Sequence, residues 1–304
     1  MTAILVRRLV RLIVICFGIS LITFLLMHLS GDPVSMILPE ATEADREVLR
    51  EAMGFNRPML VQYGAFLARA VQGDFGQSFL HRTPALPLVL ERMPTTILLT
   101  FVALAIAVAA AIPAGIITAV KRYSWIDHLA TVTVLLGQSM PVFWTGIMLI
   151  LLFSVSLGLL PVSGWDSWQA VILPAITLGT FQAPLFLRMS RSAMLEVLGL
   201  DYVQTARAKG LPEWGVIVKH ALKNAAIPIV TVIGIQFGVL LGGAVITENV
   251  FAIPGMGRLI VRGISQLDFP VVQAGVITLA LIIVSVNFLV DLFYLYLNPQ
   301  VRIS

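Results

Sequence analysis

Charge is scarce in this sequence. Asp, Glu, Lys and Arg make up 12% of its 304 residues, while 58% are hydrophobic. Soluble domains carry about 25% charged residues, so a water-exposed surface cannot be built from this composition, and a bilayer is the solvent that removes the need for one. Cysteine is nearly absent: the single Cys16 lies in an apolar stretch. It excludes an intrachain disulfide and a cysteine-based metal site, and reads as a packing residue. No dense basic run occurs and the net charge is only +4, which excludes nucleic acid as the expected partner. The histidines, His28, His81, His128 and His220, are scattered. His-Glu-x-x-His, Gly-x-Ser-x-Gly and Walker A patterns are all missing. The sequence therefore offers no catalytic, cofactor-binding or metal-binding residues, and the chain is not expected to hydrolyse ATP through the usual phosphate-cradling loop.

What the sequence has is long apolar runs. A spanning helix needs about 20 mainly apolar residues. Such runs lie near Leu9–Leu29, Thr95–Val120, Leu129–Leu157, Ala170–Leu187, Ala225–Thr247 and Val271–Leu297. The fold class is thus an all-α integral membrane protein with about six transmembrane helices. The first run is longer than a signal-peptide core and leads into Gly31-Asp-Pro33 without a cleavage site, so it reads as a retained anchor. The third run is interrupted by Gly137-Gln-Ser-Met-Pro141, and Pro174 and Pro184 are kink candidates in the fourth. Between the first two runs, residues 30–93 form a small extramembrane subdomain. Thr42 would cap a short helix there, with Asp45 three residues on and Gly54 as the stop. The organisation is then an N-terminal helix (1–29), this subdomain (30–93) and a five-helix core (94–304).

Charge orients the spans. With both termini cytoplasmic, the inside segments hold 12 of the 20 Lys and Arg, and the two short outside loops hold only Arg258 and Arg262. The long loop after the first span translocates largely regardless of its charge. The helix middles are nearly free of ionisable groups, and Glu248 and Asp291 read as interfacial residues near helix ends. An ion-coupled carrier would place such groups inside its spans, so the energy for transport would come from a partner.

The segment 188–224 is the most informative. Tyr202–Lys209 is rich in helix formers, starts on Asp201 and stops at Gly210, as helix-end electrostatics and C-cap geometry favour. It is too short and polar to span. Thr205, Ala206 and Ala208 would make an exposed knob that a partner surface approaches closely, and a solvated connecting helix explains the same residues equally well. The segment resembles the cytoplasmic coupling loop of importer-type ATP-binding-cassette (ABC) permeases, whose pattern is Glu-Ala-Ala, three residues, then Gly. Gln204-Thr-Ala206 and Gly210 stand at those positions, with Gln204 and Thr205 departing from it. Asp201-Tyr-Val-Gln-Thr-Ala-Arg-Ala-Lys-Gly-Leu211 and His220-Ala-Leu-Lys-Asn-Ala-Ala-Ile-Pro228 closely resemble the dipeptide/oligopeptide/nickel permease subfamily. So do Met194-Leu-Glu-Val197, Gly73-Asp-Phe-Gly-Gln-Ser78, Pro141-Val-Phe-Trp144 and Glu248-Asn-Val-Phe-Ala-Ile-Pro-Gly-Met-Gly-Arg258. The likeness runs over nearly the whole chain in the same order, and it is greatest to the first of the two permease subunits.

The resemblance implies a type I importer permease fold and an inner-membrane location. It implies a second permease subunit as a heterodimer partner, two ATPase subunits that carry ATP and Mg, and an extracytoplasmic solute-binding protein. Asp201, Tyr202, Gln204, Thr205, Ala206, Arg207, Ala208, Lys209 and Gly210 would form the ATPase-coupling helix, with His220 and Asn224 supporting the return. Peptides are the expected solutes; nickel chelates or glutathione are the alternatives, and an ATP-independent channel or carrier is the competing class. Gln138, Ser139, Met140 and Gln236 are polar or flexible residues that would line the pathway or bond between helices. Gly234, Gly238 and Gly242 share one helix face for close packing, within the chain or against the partner permease.

Overall fold

The computed structural model describes residues 2–38 and 40–297. The tail after Leu297, counted above among the inside segments, lies outside the described residues, as do the side chains of Arg7, Arg8, Arg11 and Asp291. Among the described residues the chain is helical apart from its connections and one isolated bridge between Gln77 and Pro84. The helices are α1 (Thr2–Ser30), α2 (Pro33–Ile37), α3 (Glu43–Met53), α4 (Met59–Ala70), α5 (Ala85–Val120), α6 (Trp125–Ser139) and α7 (Val142–Leu149). They continue with α8 (Trp168–Leu198), α9 (Asp201–Ala208), α10 (Glu213–Gly215), α11 (Leu222–Val250), α12 (Met256–Ser265) and α13 (Phe269–Leu297). Wide π-helical turns follow α7 (Ile150–Ser156) and α10 (Val216–Ala221). Five of these helices are long and apolar enough to cross a membrane, and a sixth crossing results if α6 and α7 with its π turn form one broken span.

That break refines the reading of 129–157, which is one span only as a broken pair of helices. α6 and the helix after it are bent by 103° at Met140-Pro141. The cause is local: proline disfavours helical backbone in the residue before it, and Met140 is extended at φ −90, ψ 130. A second point corrects the reading of the fourth span, which continues as helix through Arg188 to Leu198 and is not a loop there. Pro174 and Pro184 are both accommodated inside it. A third point concerns Glu248, which stands near the end of α11 as expected and is fully buried within the protein. The chain folds back beside it, the Ile253 N–H donating to the Glu248 carbonyl at 2.9 Å.

Two compact units share the chain: residues 1–96 with 254–284, and residues 97–253 with 285–304. In the first unit, Thr42 accepts from the Asp45 N–H at 3.3 Å and Gly54 closes α3 at φ +76, both as expected from sequence. Asp32 caps α2 at the Val34 N–H and also accepts from Arg50 Nε at 3.0 Å, which ties α2 to α3. Phe24 of α1 packs with Tyr63 and Phe66 of α4, and Ser20 hydrogen bonds the Tyr63 hydroxyl at 2.9 Å. Residues 30–93 thus share a core with α1 and with 254–284.

The second unit is built on α5, α7, α8 and α11. Leu99, Ala103 and Ala107 pack with Leu173, Leu178, Phe186, Leu240 and Phe251. Alanine and glycine bring the backbones together: a Cβ on Gly179 would lie 2.8 Å from the Ala103 carbonyl oxygen, and one on Gly115 2.6 Å from that of Leu187. Close approach of this kind is how helices associate where lipid removes any hydrophobic drive between them.

Candidate coupling surface

The end of α8, then α9, α10, the π turn and the start of α11 enclose a core of their own. Val203 and Ala206 of α9 are buried with Met194 and Val197 of α8, Val216, Ile217 and Ala221 of the turn, and Ala225 of α11. Ala206 therefore points inward, correcting its expected place on the exposed knob. The i, i+3 spacing of Val203 and Ala206 puts both on one helix face, leaving Asp201, Gln204, Thr205, Ala208 and Lys209 outward and exposed. Asp201 stands in the first turn and Arg207 in the last, each matching the helix dipole.

The turn after α9 is fixed from both sides. Gly210 sits at φ +75 with open space where a Cβ would be. Beyond it Arg207 holds Glu213 through Nε–Oε2 at 3.2 Å and Nη2–Oε1 at 2.7 Å. The Arg207 guanidinium keeps the Glu213 carboxyl below the usual carboxylate range. On the return, the Tyr202 hydroxyl accepts from Asn224 Nδ2 at 2.6 Å and donates to the His220 carbonyl at 3.3 Å. The structure thus brings Tyr202, His220 and Asn224 together, with His220 taking part through its backbone.

Sequence reasoning passed over several groups here. Trp214 is 76% exposed, and Leu200 and Leu211 stand out beside the same helix. The signal was a tryptophan in an otherwise polar stretch directly after Pro212-Glu213. Arg191 of α8 grips Asp127 of α6 with two bonds, Nε–Oδ1 at 2.9 Å and Nη2–Oδ2 at 2.8 Å. Asp127 also accepts from the Tyr123 N–H at 3.1 Å, and Ser124 caps α6 at the Asp127 N–H. The Lys121–Ser124 turn is thereby clamped to the α8 extension that carries α9.

The residues expected along a pathway separate into two places. Gln138, Ser139 and Met140 lie at the bend after α6 and are exposed. Gln236 of α11 accepts from Gln182 Nε2 of α8 at 2.8 Å, and Gln182 is buried. The glycine face of α11 is also divided. A Cβ on Gly234 would meet Val290 Cγ2 at 2.4 Å, so Gly234 packs within the chain. Gly238 is buried, whereas Gly242 faces open space.

The chain matches known proteins over nearly its whole length. Residues 111–303 match the family described as binding-protein-dependent transport system inner membrane component, and residues 1–100 match the corresponding N-terminal family. The chain belongs to that family. As a member it is a multi-pass inner-membrane permease subunit of the ABC importer class, with a transport rather than an enzymatic role. It is 42% identical over 299 residues to the glutathione transport system permease protein GsiC of Escherichia coli strain K12, covering 98% of each chain. The same identity and coverage hold for GsiC of Shigella dysenteriae serotype 1. Among solved structures, the permease resembles a chain of the inward-facing MetNI methionine ABC transporter, with TM-score 0.57 and 20% identity over 69% of this chain and 96% of that one. A chain of an amino acid ABC transporter matches with TM-score 0.52 and 18% identity, over 68% of this chain and 93% of that one. At these identities the likeness shows the fold alone.

Proposed function

We propose that this permease forms one half of the translocation channel of an ATP-driven importer for short peptides, with glutathione, itself a tripeptide, the nearest solute suggested by its relatives. A second, homologous permease completes the channel as a heterodimer. Two ATPase subunits bind ATP and Mg, and an extracytoplasmic protein delivers the solute. Both termini are cytoplasmic, which places 188–224 inside and puts 30–93 and the loop after α11 outside, where they receive the solute-binding protein.

One observation carries this reading: α9 is a short polar helix seated on a hydrophobic base, with one face buried and the other free. A lever must not yield when pushed, and Val203 and Ala206 below, the Arg207–Glu213 pair at one end and Tyr202–Asn224 at the other make α9 rigid. Closure of the ATPase subunits on ATP moves α9, and the transmembrane helices rock between two packed arrangements. The pathway residues in this reading are Gln138, Ser139 and Met140 at the bend and the Gln182–Gln236 pair.

The test is Gly210→Glu in the complex assembled with its ATPase subunits and binding protein. The left-handed backbone at Gly210 costs the variant about 1 kcal/mol, but no atom lies within 4 Å of the added Cβ, so it inserts and assembles in normal amount while ATP hydrolysis stays at the unstimulated rate when solute and binding protein are added. Normal stimulation in the variant overturns the coupling role. Transport by vesicles containing this chain without any ATPase overturns the importer reading as a whole.

A further inference from the structure

A cavity of about 450 Å³ lies within the first unit. Its cationic lining comes from Arg92 of α5 and Arg258 and Arg262 of α12, with His81 beside them. Leu80, Leu88, Leu259 and Val271 add apolar wall. The carboxylate in the lining is Asp268, and its oxygens are committed to the protein: they accept from the Ser78 hydroxyl and from the Phe79 and Leu80 N–H groups at 3.1 and 3.4 Å. Neither Arg92 nor Arg262 forms an ion pair among the described residues.

The cationic face is built rather than incidental. Arg258 and Arg262 are four residues apart on α12 and share one face. That face cannot rotate away, because Met256 and Ile260 on the opposite side are buried with Val89, Val271 and Ala274. Backbone contacts tighten this seat: a Cβ on Gly263 would meet Val272 Cγ2 at 2.9 Å, and one on Gly275 would meet Ile260 Cγ1 at 2.5 Å. The Met256 N–H is held by Thr96 Oγ1 at 2.9 Å. Like charges four apart on a helix repel, and burial together with Arg262 lowers the pKa of the Arg258 guanidinium. At Arg262, which no ion pair among the described residues offsets, a bound anion relieves that repulsion. Guanidinium groups favour planar oxyanions, which they grip with two parallel bonds, and the leucines beside them suit the apolar part of an organic acid.

We infer that this cavity is a carboxylate site that holds a free carboxylate of the imported solute, an inference that rests on the importer reading above. Import would then select for solutes that keep a terminal carboxylate. A phospholipid phosphate offers the same oxyanion chemistry, and the test separates the two sources.

The full chain in phosphatidylcholine nanodiscs is titrated with reduced glutathione and with its diamide, which lacks both carboxylates. No ATP or partner subunit is present, so the result is independent of whether ATP-driven import itself is observed. Glutathione binds the wild type at least about tenfold more tightly than the diamide does. In Arg92→Gln/Arg262→Gln the acid loses that advantage, while diamide binding is unchanged. Equal affinity for acid and diamide, no binding of either, or a double variant that keeps the preference overturns the assignment. So does phosphatidylglycerol that copurifies with the wild type, is lost in the double variant and is not displaced by glutathione. If the double variant fails to fold, the acid–diamide comparison on the wild type and on Arg262→Lys decides.

Discussion

Asp127 is 5% exposed and is the only carboxylate on the Arg191 guanidinium among the described residues. Asp127→Asn leaves Arg191 partly buried without its counter-charge and weakens two bonds at once. The expected loss is about 1–3 kcal/mol, read as a lower Tm of the solubilised protein. The exposed Arg207–Glu213 pair contributes less, about 0–1 kcal/mol. Glu213 has a lowered pKa in the folded state, so its contribution is full above the ordinary carboxylate value of 4.5 and fades as pH falls through the lowered folded value. Glu213→Gln therefore changes Tm little at pH 7 and not at all in strong acid. At this scale the sequence is legible where a residue acts on its near neighbours. Thr42, Gly54 and Gly210 could be placed because caps and left-handed turns are local chemistry. Asp127 and Arg191 are 64 residues apart, and nothing in one sequence pairs them.

Helices were harder to delimit than to detect. Polarity marks where a span leaves the apolar layer, but it does not end a helix, so α8 passes Arg188 and runs on to Leu198. The interruption at Gly137–Pro141 was visible in the run 129–157, but its sharp bend was not, because hydropathy is blind to backbone direction, which Pro141 changes at Met140. Glycine spacing likewise shows which residues share a face, but not what that face meets. Gly115→Ala forces a methyl group against the Leu187 carbonyl and Ser190, with an expected cost of about 1–3 kcal/mol. Gly242→Ala enters open space and stays within about 0.5 kcal/mol of the wild type. The fraction of each variant eluting as folded monodisperse protein, together with its Tm, checks the contrast.

Across the whole molecule the class was the easiest property to read. Low charge and six apolar runs fix a membrane protein, and the ordered motifs placed it among importer permeases before any fold was known. The three-dimensional base of α9 was not legible, because Met194, Val203, Val216 and Ala225 meet only after the chain has folded. Trp214 gives a direct measure of assembly. It is exposed in the isolated chain, so acrylamide quenches it there. Addition of the ATPase subunits is expected to reduce that quenching, judged by the difference from Trp214→Phe. Unchanged quenching would place the partner elsewhere.

The grip of Arg191 on Asp127 has one more outcome. Because the Tyr123 backbone is bonded to the same carboxylate, the turn before α6 and the end of α8 are joined into a single rigid fitting. A spin label at Tyr123, whose own side chain is exposed, would therefore travel with α9 and report the motion proposed for it without touching the surface that is proposed to be pushed.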